Sequence, residues 1–345
     1  MGKLAVVLFN LGGPDSLNAV RPFLFNLFND PAIIGAPTAI RYGLAQLISV
    51  RRAKVARQIY ARLGGLSPLL ANTLAQAAAL EHELADLGDV RVWPAMRYWH
   101  PMSEAVAREV HCYGAHEIVL LPLYPQFSTT TTGSSARAWA KAAASARLSA
   151  SSRQICCYPG EPGFVRALVE LMRPALARAA AHGRPRVLFS AHGLPKRIVA
   201  RGDPYPWQVE QSAAAVVREL AIPNLDAAVC YQSQVGPLEW IGPYTEAEIR
   251  RAGADKIPLV VVPIAFVSEH SETLVELDMD YRRLTQQAGV PHFEWVATVS
   301  THPAFIAGLA RLVRSALARP PGTFGASGEP ICPVTARQCA MVQGG

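Results

Sequence analysis

Short continuous apolar runs alternate along this chain with longer stretches whose apolar positions recur every three or four residues, the pattern of buried strands joined by amphipathic helices. The runs predict strands at 4–11, 90–98, 117–124 and 154–158, then a second set at 186–191, 226–231, 257–266 and 293–296. Strands separated by helices imply βαβ crossovers and parallel sheets covered on both faces. Two sets of four predict an α/β protein of two similar halves, 1–160 and 161–302, each a four-stranded parallel sheet flanked by helices. Residues 136–153, rich in Ala and Ser, predict a surface helix followed by a loop. A helix over 303–318 is expected to pack back on the first half. Beyond it, 319–345 turns to Pro, Gly and Ser and reads as a cysteine-containing tail outside the sheets.

Residues with chemical potential gather where these strands end. In the first half Asn10-Leu11-Gly12-Gly13-Pro14, Arg97-Tyr98-Trp99-His100-Pro101 and the run from Ser128 to Ser135 each follow a predicted strand. In the second half Ser190-Ala191-His192-Gly193-Leu194-Pro195, the motif from Gln232 to Pro237 and an acidic segment from Ser268 to Asp280 do the same. Open α/β sheets bind ligands at this carboxyl edge, so a cleft shared by the two halves is the expected active site.

Composition narrows the class. The chain has 345 residues, half of them apolar, enough for two cores. Its long apolar run at 257–267 is too short to span a bilayer. Met1-Gly2-Lys3-Leu4 leads straight into a strand without a charged leader, which predicts a cytoplasmic protein. A net charge of +7 favours phosphates, acidic lipids or an anionic small molecule. Without zinc-finger spacing or an aromatic-flanked basic motif, nucleic acid is not an expected partner. Six cysteines, at 112, 156, 157, 230, 332 and 339, are too scattered for a disulfide framework, and Cys112 and Cys230 read as buried thiols. The chain also lacks a dinucleotide fingerprint, a P-loop and a Gly-x-Ser-x-Gly elbow.

The acidic segment is the most telling stretch. On a helix Glu269, Glu272, Glu276 and Asp280 share one face, and three like-charged neighbours there cost about 1 kcal/mol together. No Lys or Arg precedes Arg282 to neutralise the row. A solvated acidic face is the plain reading; a row that attracts cations is the sharper one. His192, set between a buried strand and a Gly-Leu-Pro turn, should lie on the same rim. Histidine with carboxylate suits a borderline divalent metal such as Fe(II), and equally a proton-transfer pair. In the first half an apolar wall, 23–28 and 40–50, runs into Arg51-Arg52-Ala53-Lys54, a combination suited to a flat apolar molecule bearing carboxylates.

Together with Gly64-Gly65-Leu66-Ser67-Pro68 and Tyr124-Pro125-Gln126-Phe127, these motifs resemble the ferrochelatases, the protohaem ferro-lyase family, in order from Asn10 to about Pro303. The resemblance implies the chelatase fold, two Rossmann-like domains holding a porphyrin between them. It implies a lyase that inserts Fe(2+) into protoporphyrin IX to give protohaem, with coproporphyrin as a substrate variant and ferrous iron as the other substrate. His192 is implied as the active-site histidine and Glu272 as its partner carboxylate, the catalytic pair and iron site, with Glu276 and Asp280 as a metal or proton conduit. Leu11, Arg52, Tyr60, Arg97, Tyr98, Ser128, Thr129 and Trp240 match substrate-pocket positions. A [2Fe-2S] cluster is raised by the tail: Cys332 and Cys339 keep the family's x6 spacing, but Met341 stands at the next cysteine position. Cys156 and Cys157 would complete four ligands. A haem- or metal-binding protein without catalysis is the competing class, and the apolar wall also offers a peripheral membrane contact.

Overall fold

The computed structural model describes residues 2–234 and 236–341. Val235 of the 232–237 motif and the tail end 342–345 therefore lie outside the described residues. The chain forms two compact units: the first runs to Cys157 and takes in Leu309–Pro330, the second comprises Tyr158–Gly308 with the residues from Ile331 onward.

In the first unit β1 (Leu4–Asn10), β2 (Val90–Met96), β3 (Glu117–Pro122), β4 (Ser151–Ile155) and β9 (Gly322–Phe324) form one sheet in the order β2-β1-β3-β4-β9. Every pairing is parallel. All seven residues of β1 are buried, as a central strand covered on both faces requires. On one face Ala5, Val7 and Phe9 pack with Val106, Val110 and Trp139.

Three expectations are corrected here. The first sheet has five strands rather than four, because 319–345 is not wholly outside the sheets: Arg153, Gln154 and Ile155 pair with Gly322, Thr323 and Phe324. The local reason is that β4 would otherwise be an open edge, which a short tail strand covers whatever its composition. The Ala-rich helix runs over Thr132–Ser145 and is not a surface element throughout, since Trp139 and Ala142 enter the core. The loop after it already contains the start of β4. Cys112 is exposed, on the outward face of helix Ser103–Tyr113, whereas Cys230 is buried as expected.

The second unit repeats the arrangement. β5 (Arg186–His192), β6 (Asp226–Gln232), β7 (Leu259–Pro263) and β8 (Phe293–Trp295) lie in the order β6-β5-β7-β8, again all parallel. β5 thus occupies the place that β1 has among β2, β3 and β4. In each unit the chain's first strand is flanked by the next two, so its carboxyl end is the topological switch point. His192 is the last residue of β5.

The acidic segment is helical but not α-helical. Glu272–Asp280 winds as a π-helix and continues as α-helix Tyr281–Ala288. Nine residues is long for this conformation, which otherwise appears as single-turn bulges that mark functional sites. Thr273, Val275 and Leu277 of this segment are buried.

Candidate active site

The second unit assembles its chemistry around one carboxylate. His192 leaves β5 with its Nδ1 3.0 Å from Glu272 Oε2, and the side chains are 36% and 27% exposed. The same Oε2 has His270 Nε2 at 3.5 Å. Glu272 therefore sits between two imidazoles. Burial by itself would raise its pKa, but the two histidines outweigh that and hold it well below the usual carboxylate range. Burial likewise disfavours the His192 imidazolium, and Glu272 with help from Glu276 overcomes this, so the His192 pKa is raised. With Nδ1 turned to the carboxylate, Nε2 becomes the acceptor nitrogen of the neutral ring.

The turn after β5 brings a third ring to this pair. Gly193 N–H donates to the Gln232 carbonyl at 2.9 Å, and Leu194 and Pro195 pair with the Trp240–Ile241 segment. The Trp240 indole consequently meets His192 edge-on, centroids 6.3 Å apart. A Cβ on Gly193 would stand 3.0 Å from the Gln232 carbonyl and 3.2 Å from the indole, so a larger residue there would press on both.

The remaining members of the acidic row part company. Glu269 accepts from the Thr298 N–H at 2.7 Å and from the Thr273 hydroxyl, so it ties the segment down. Glu276 accepts from both the N–H and the hydroxyl of Ser233, a residue held at φ 61°, and from Tyr281 Oη at 3.3 Å. Burial and the charge of Glu272 raise the Glu276 pKa, against the opposing Ser233 bonds. Asp280 lies 3.4 Å from the Arg283 guanidinium. Sequence reasoning missed His270, hidden within the acidic run, and Ser233; the His at the start of a Ser-Glu-Thr helical turn was the available signal for the former.

In the first unit the predicted pocket residues divide between an apolar cluster and polar loops. Leu11, Tyr60 and Tyr98 meet in the cluster of Val20, Phe23 and Leu24. Arg52 on helix Thr38–Ala61 lies 5.9 Å above the Phe28 ring. Ser128 is buried with its hydroxyl 2.8 Å from that of Thr130, and the Thr129 carbonyl accepts from Arg137, both ahead of helix Thr132–Ser145. Arg97 N–H and Tyr98 N–H continue the β2 ladder onto the carbonyls of Asn10 and Leu11. The turn at Gly13 lies against Ser67 so closely that any Cβ there would overlap its side chain.

The four thiols raised for a [2Fe-2S] cluster lie on two segments, one directly after β4 and one in the tail. Cys156 and Cys157 are consecutive and buried directly after β4, Cys332 Sγ accepts from Gln208 Nε2 at 3.1 Å, and Cys339 is buried. Among the described residues no three His, Cys, Asp or Glu side chains group to hold a metal ion. No disulfide joins the cysteines.

Comparison with known proteins shows the family. The family model described as Ferrochelatase matches residues 3–317. The ferrochelatase of Caulobacter vibrioides (strain NA1000 / CB15N) is 50% identical over 345 residues, 99% of this chain and 98% of its own. That of Phenylobacterium zucineum (strain HLK1) is 52% identical over 349 residues, 99% of each chain. Among solved structures, SirB from Bacillus subtilis with Fe3+ superposes with a TM-score of 0.55 at 15% identity, over 92% of this chain and 96% of its own. At that identity SirB speaks for the fold alone. The family match over most of the chain and half-identical relatives along its full length establish that this chain belongs to the ferrochelatase family.

Proposed function

We propose that this protein inserts ferrous iron into protoporphyrin IX, releasing protohaem and two protons, with His192 and Glu272 as its working pair. The observation that carries the assignment of residues is the 3.0 Å contact between His192 Nδ1 and Glu272 Oε2 at the carboxyl end of β5. Insertion requires two pyrrole N–H protons to leave while the hydrated ion sheds water. His192 Nε2 accepts a pyrrole proton, and the imidazolium so formed is stabilised through Nδ1–H by the carboxylate. Glu272 keeps its negative charge throughout because two imidazoles share it, and it gives the incoming Fe(II) an oxygen donor. Leu11, Arg52, Tyr60, Arg97, Tyr98, Ser128 and Thr129 of the first unit, and Trp240 of the second, bind the porphyrin.

His192→Ala and Glu272→Gln should each lower metal insertion by about a hundredfold or more while porphyrin binding stays measurable. The assay is loss of the free-porphyrin spectrum with Fe(II) under anaerobic conditions. Near-wild-type turnover in either variant overturns the assignment. Repeating the wild-type assay with coproporphyrin tests the substrate: the protoporphyrin reading predicts the larger kcat/KM for protoporphyrin. A carrier without catalysis would bind both substrates and leave the porphyrin spectrum metal-free.

Glu276, bound by Ser233, and Asp280, beside Arg283, continue the acidic row beyond Glu272 as the conduit for protons or metal. No step is assigned to an iron–sulfur cluster, and chemical analysis of purified protein for iron and acid-labile sulfide tests this. Peripheral membrane contact is assigned to helix Thr38–Ala61, which exposes Ile40, Leu44, Leu47 and Val50. No helix among the described residues is long and apolar enough to cross a membrane. Co-sedimentation with liposomes tests the contact, and full recovery in the supernatant rejects it.

A further inference from the structure

One buried acid in the first unit lies outside every role assigned so far. Asp30 follows helix Val20–Phe28 and has a side chain only 1% exposed. Its Oδ1 accepts from the Ala32 N–H at 2.8 Å, which closes the turn after the helix. Its Oδ2 receives three donors: Arg97 Nη2 at 2.8 Å, Tyr98 Oη at 2.8 Å and the Ser134 hydroxyl. Ser134 in turn accepts from Arg97 Nε at 2.7 Å, so guanidinium, hydroxyl and carboxylate form a closed triangle.

A carboxylate this buried is costly unless it is paired and its lone pairs are filled. Here both conditions hold, and the pairing fixes more than the charge. The Nε and Nη2 edge of Arg97 is held by the triangle, its guanidinium carbon lies 4.9 Å over the Tyr98 ring, and the side chain is still 21% exposed. Burial and the negative charge of Asp30 push the Tyr98 phenol well above its ordinary pKa, so it remains a donor. Asp30 therefore turns one face of a cation outward in a fixed orientation. An isolated surface arginine would instead sample many rotamers and would lose entropy on binding.

We propose that Asp30 is a positioning residue for the porphyrin, presenting Arg97 to it through the Asp30–Ser134–Arg97 triangle, with the buried Tyr98 ring as the floor beneath the guanidinium. The inference rests on the reading that Arg97 contacts the porphyrin. It assigns Asp30 no contact with either substrate.

The test is steady-state kinetics of Asp30→Asn, Ser134→Ala, Arg97→Ala and the two double variants with Arg97→Ala, with Fe(II) and protoporphyrin varied separately. Asp30→Asn should raise the porphyrin KM about tenfold, with kcat and the Fe(II) KM within about twofold of wild type. Ser134→Ala should act in the same direction by about threefold, and it decides the matter if Asp30→Asn does not fold. Neither change should add more than about twofold in the Arg97→Ala background, because both act through Arg97. A merely structural role would lower the active fraction without moving the porphyrin KM. An unchanged porphyrin KM, or an effect that persists in full without Arg97, overturns the inference and leaves the pocket reading standing. Arg97→Ala with a wild-type porphyrin KM overturns the pocket reading of Arg97 and the inference with it.

Discussion

Glu272 shows what a single residue gains from two neighbours. An imidazole on either side lets a half-buried carboxylate stay ionised where burial alone would protonate it. His270 shapes the site by holding the carboxylate that His192 uses, and it packs its ring 4.7 Å from Phe266. His270→Ala should therefore cost about tenfold in turnover, as loss of an orienting partner does, and less than His192→Ala. Equal losses measured in the same insertion assay would place His270 at the reacting atoms. Glu276 has a different duty: Glu276→Ala leaves the Ser233 N–H and hydroxyl without their acceptor and should destabilise the fold by about 1–3 kcal/mol in urea titrations. Its effect on turnover should be milder than that of Glu272→Gln, since water can bypass a more distant carboxylate. Spacing alone put these carboxylates in one row and did not separate them, whereas the family motif singled out Glu272. The contacts of Glu276 with Ser233, Glu269 with Thr298 and Glu272 with His270 come from positions that spacing does not connect.

At the scale of elements, the ends of strands do the positioning and the contacts between turns hold them in place. β5 delivers His192, and the Gly193 turn docks Trp240 against it. In the first unit the Gly13 turn nests on Ser67. Gly13→Ala should destabilise by about 1–3 kcal/mol through overpacking, and Ser67→Gly in the same chain should recover part of it. Absence of recovery in thermal melts would show that the glycine serves another need. On the far side of the second sheet, Glu294 of β8 accepts from Arg178 at 3.0 and 2.8 Å and lies 2.8 Å from His292 Nε2. The Arg178 bond leads, burial opposes it, and the Glu294 pKa falls below its ordinary value. Because the folded value is the lower one, the stabilisation is present above the unfolded pKa of about 4.3 and is lost as pH falls through the folded value. Glu294→Gln should thus lower the urea midpoint near neutral pH, with the gap to wild type closing below about pH 4. A gap independent of pH would contradict the linkage. The strands themselves were legible as apolar runs, within a few residues at their ends. The π-helix was not, because the spacing of Glu272, Glu276 and Asp280 is compatible with either helix.

Across the whole molecule the same strand order appears twice, in sheets whose residue sequences show no matching motifs. Alternating apolar runs and amphipathic helices suffice to specify a parallel α/β unit, and the rule that chemistry gathers at the carboxyl edge then points to strand ends such as that of β5, where the candidate His192 stands. The sequence by itself determined the class of fold, the two-unit plan, the family, and the motifs that contain His192, Glu272, Arg97 and Tyr98. These are local or periodic properties, carried by residues near one another along the chain. Tertiary structure alone decided the rest: that the tail closes the first sheet, that His270 and His192 share one carboxylate, that Glu276 is engaged by Ser233, and that Asp30 grips Arg97 and Ser134 from positions 67 and 104 residues away. The physical reason is range. Hydrophobic periodicity is written in consecutive residues, whereas the partner of a buried charge is set by which loops the fold brings together.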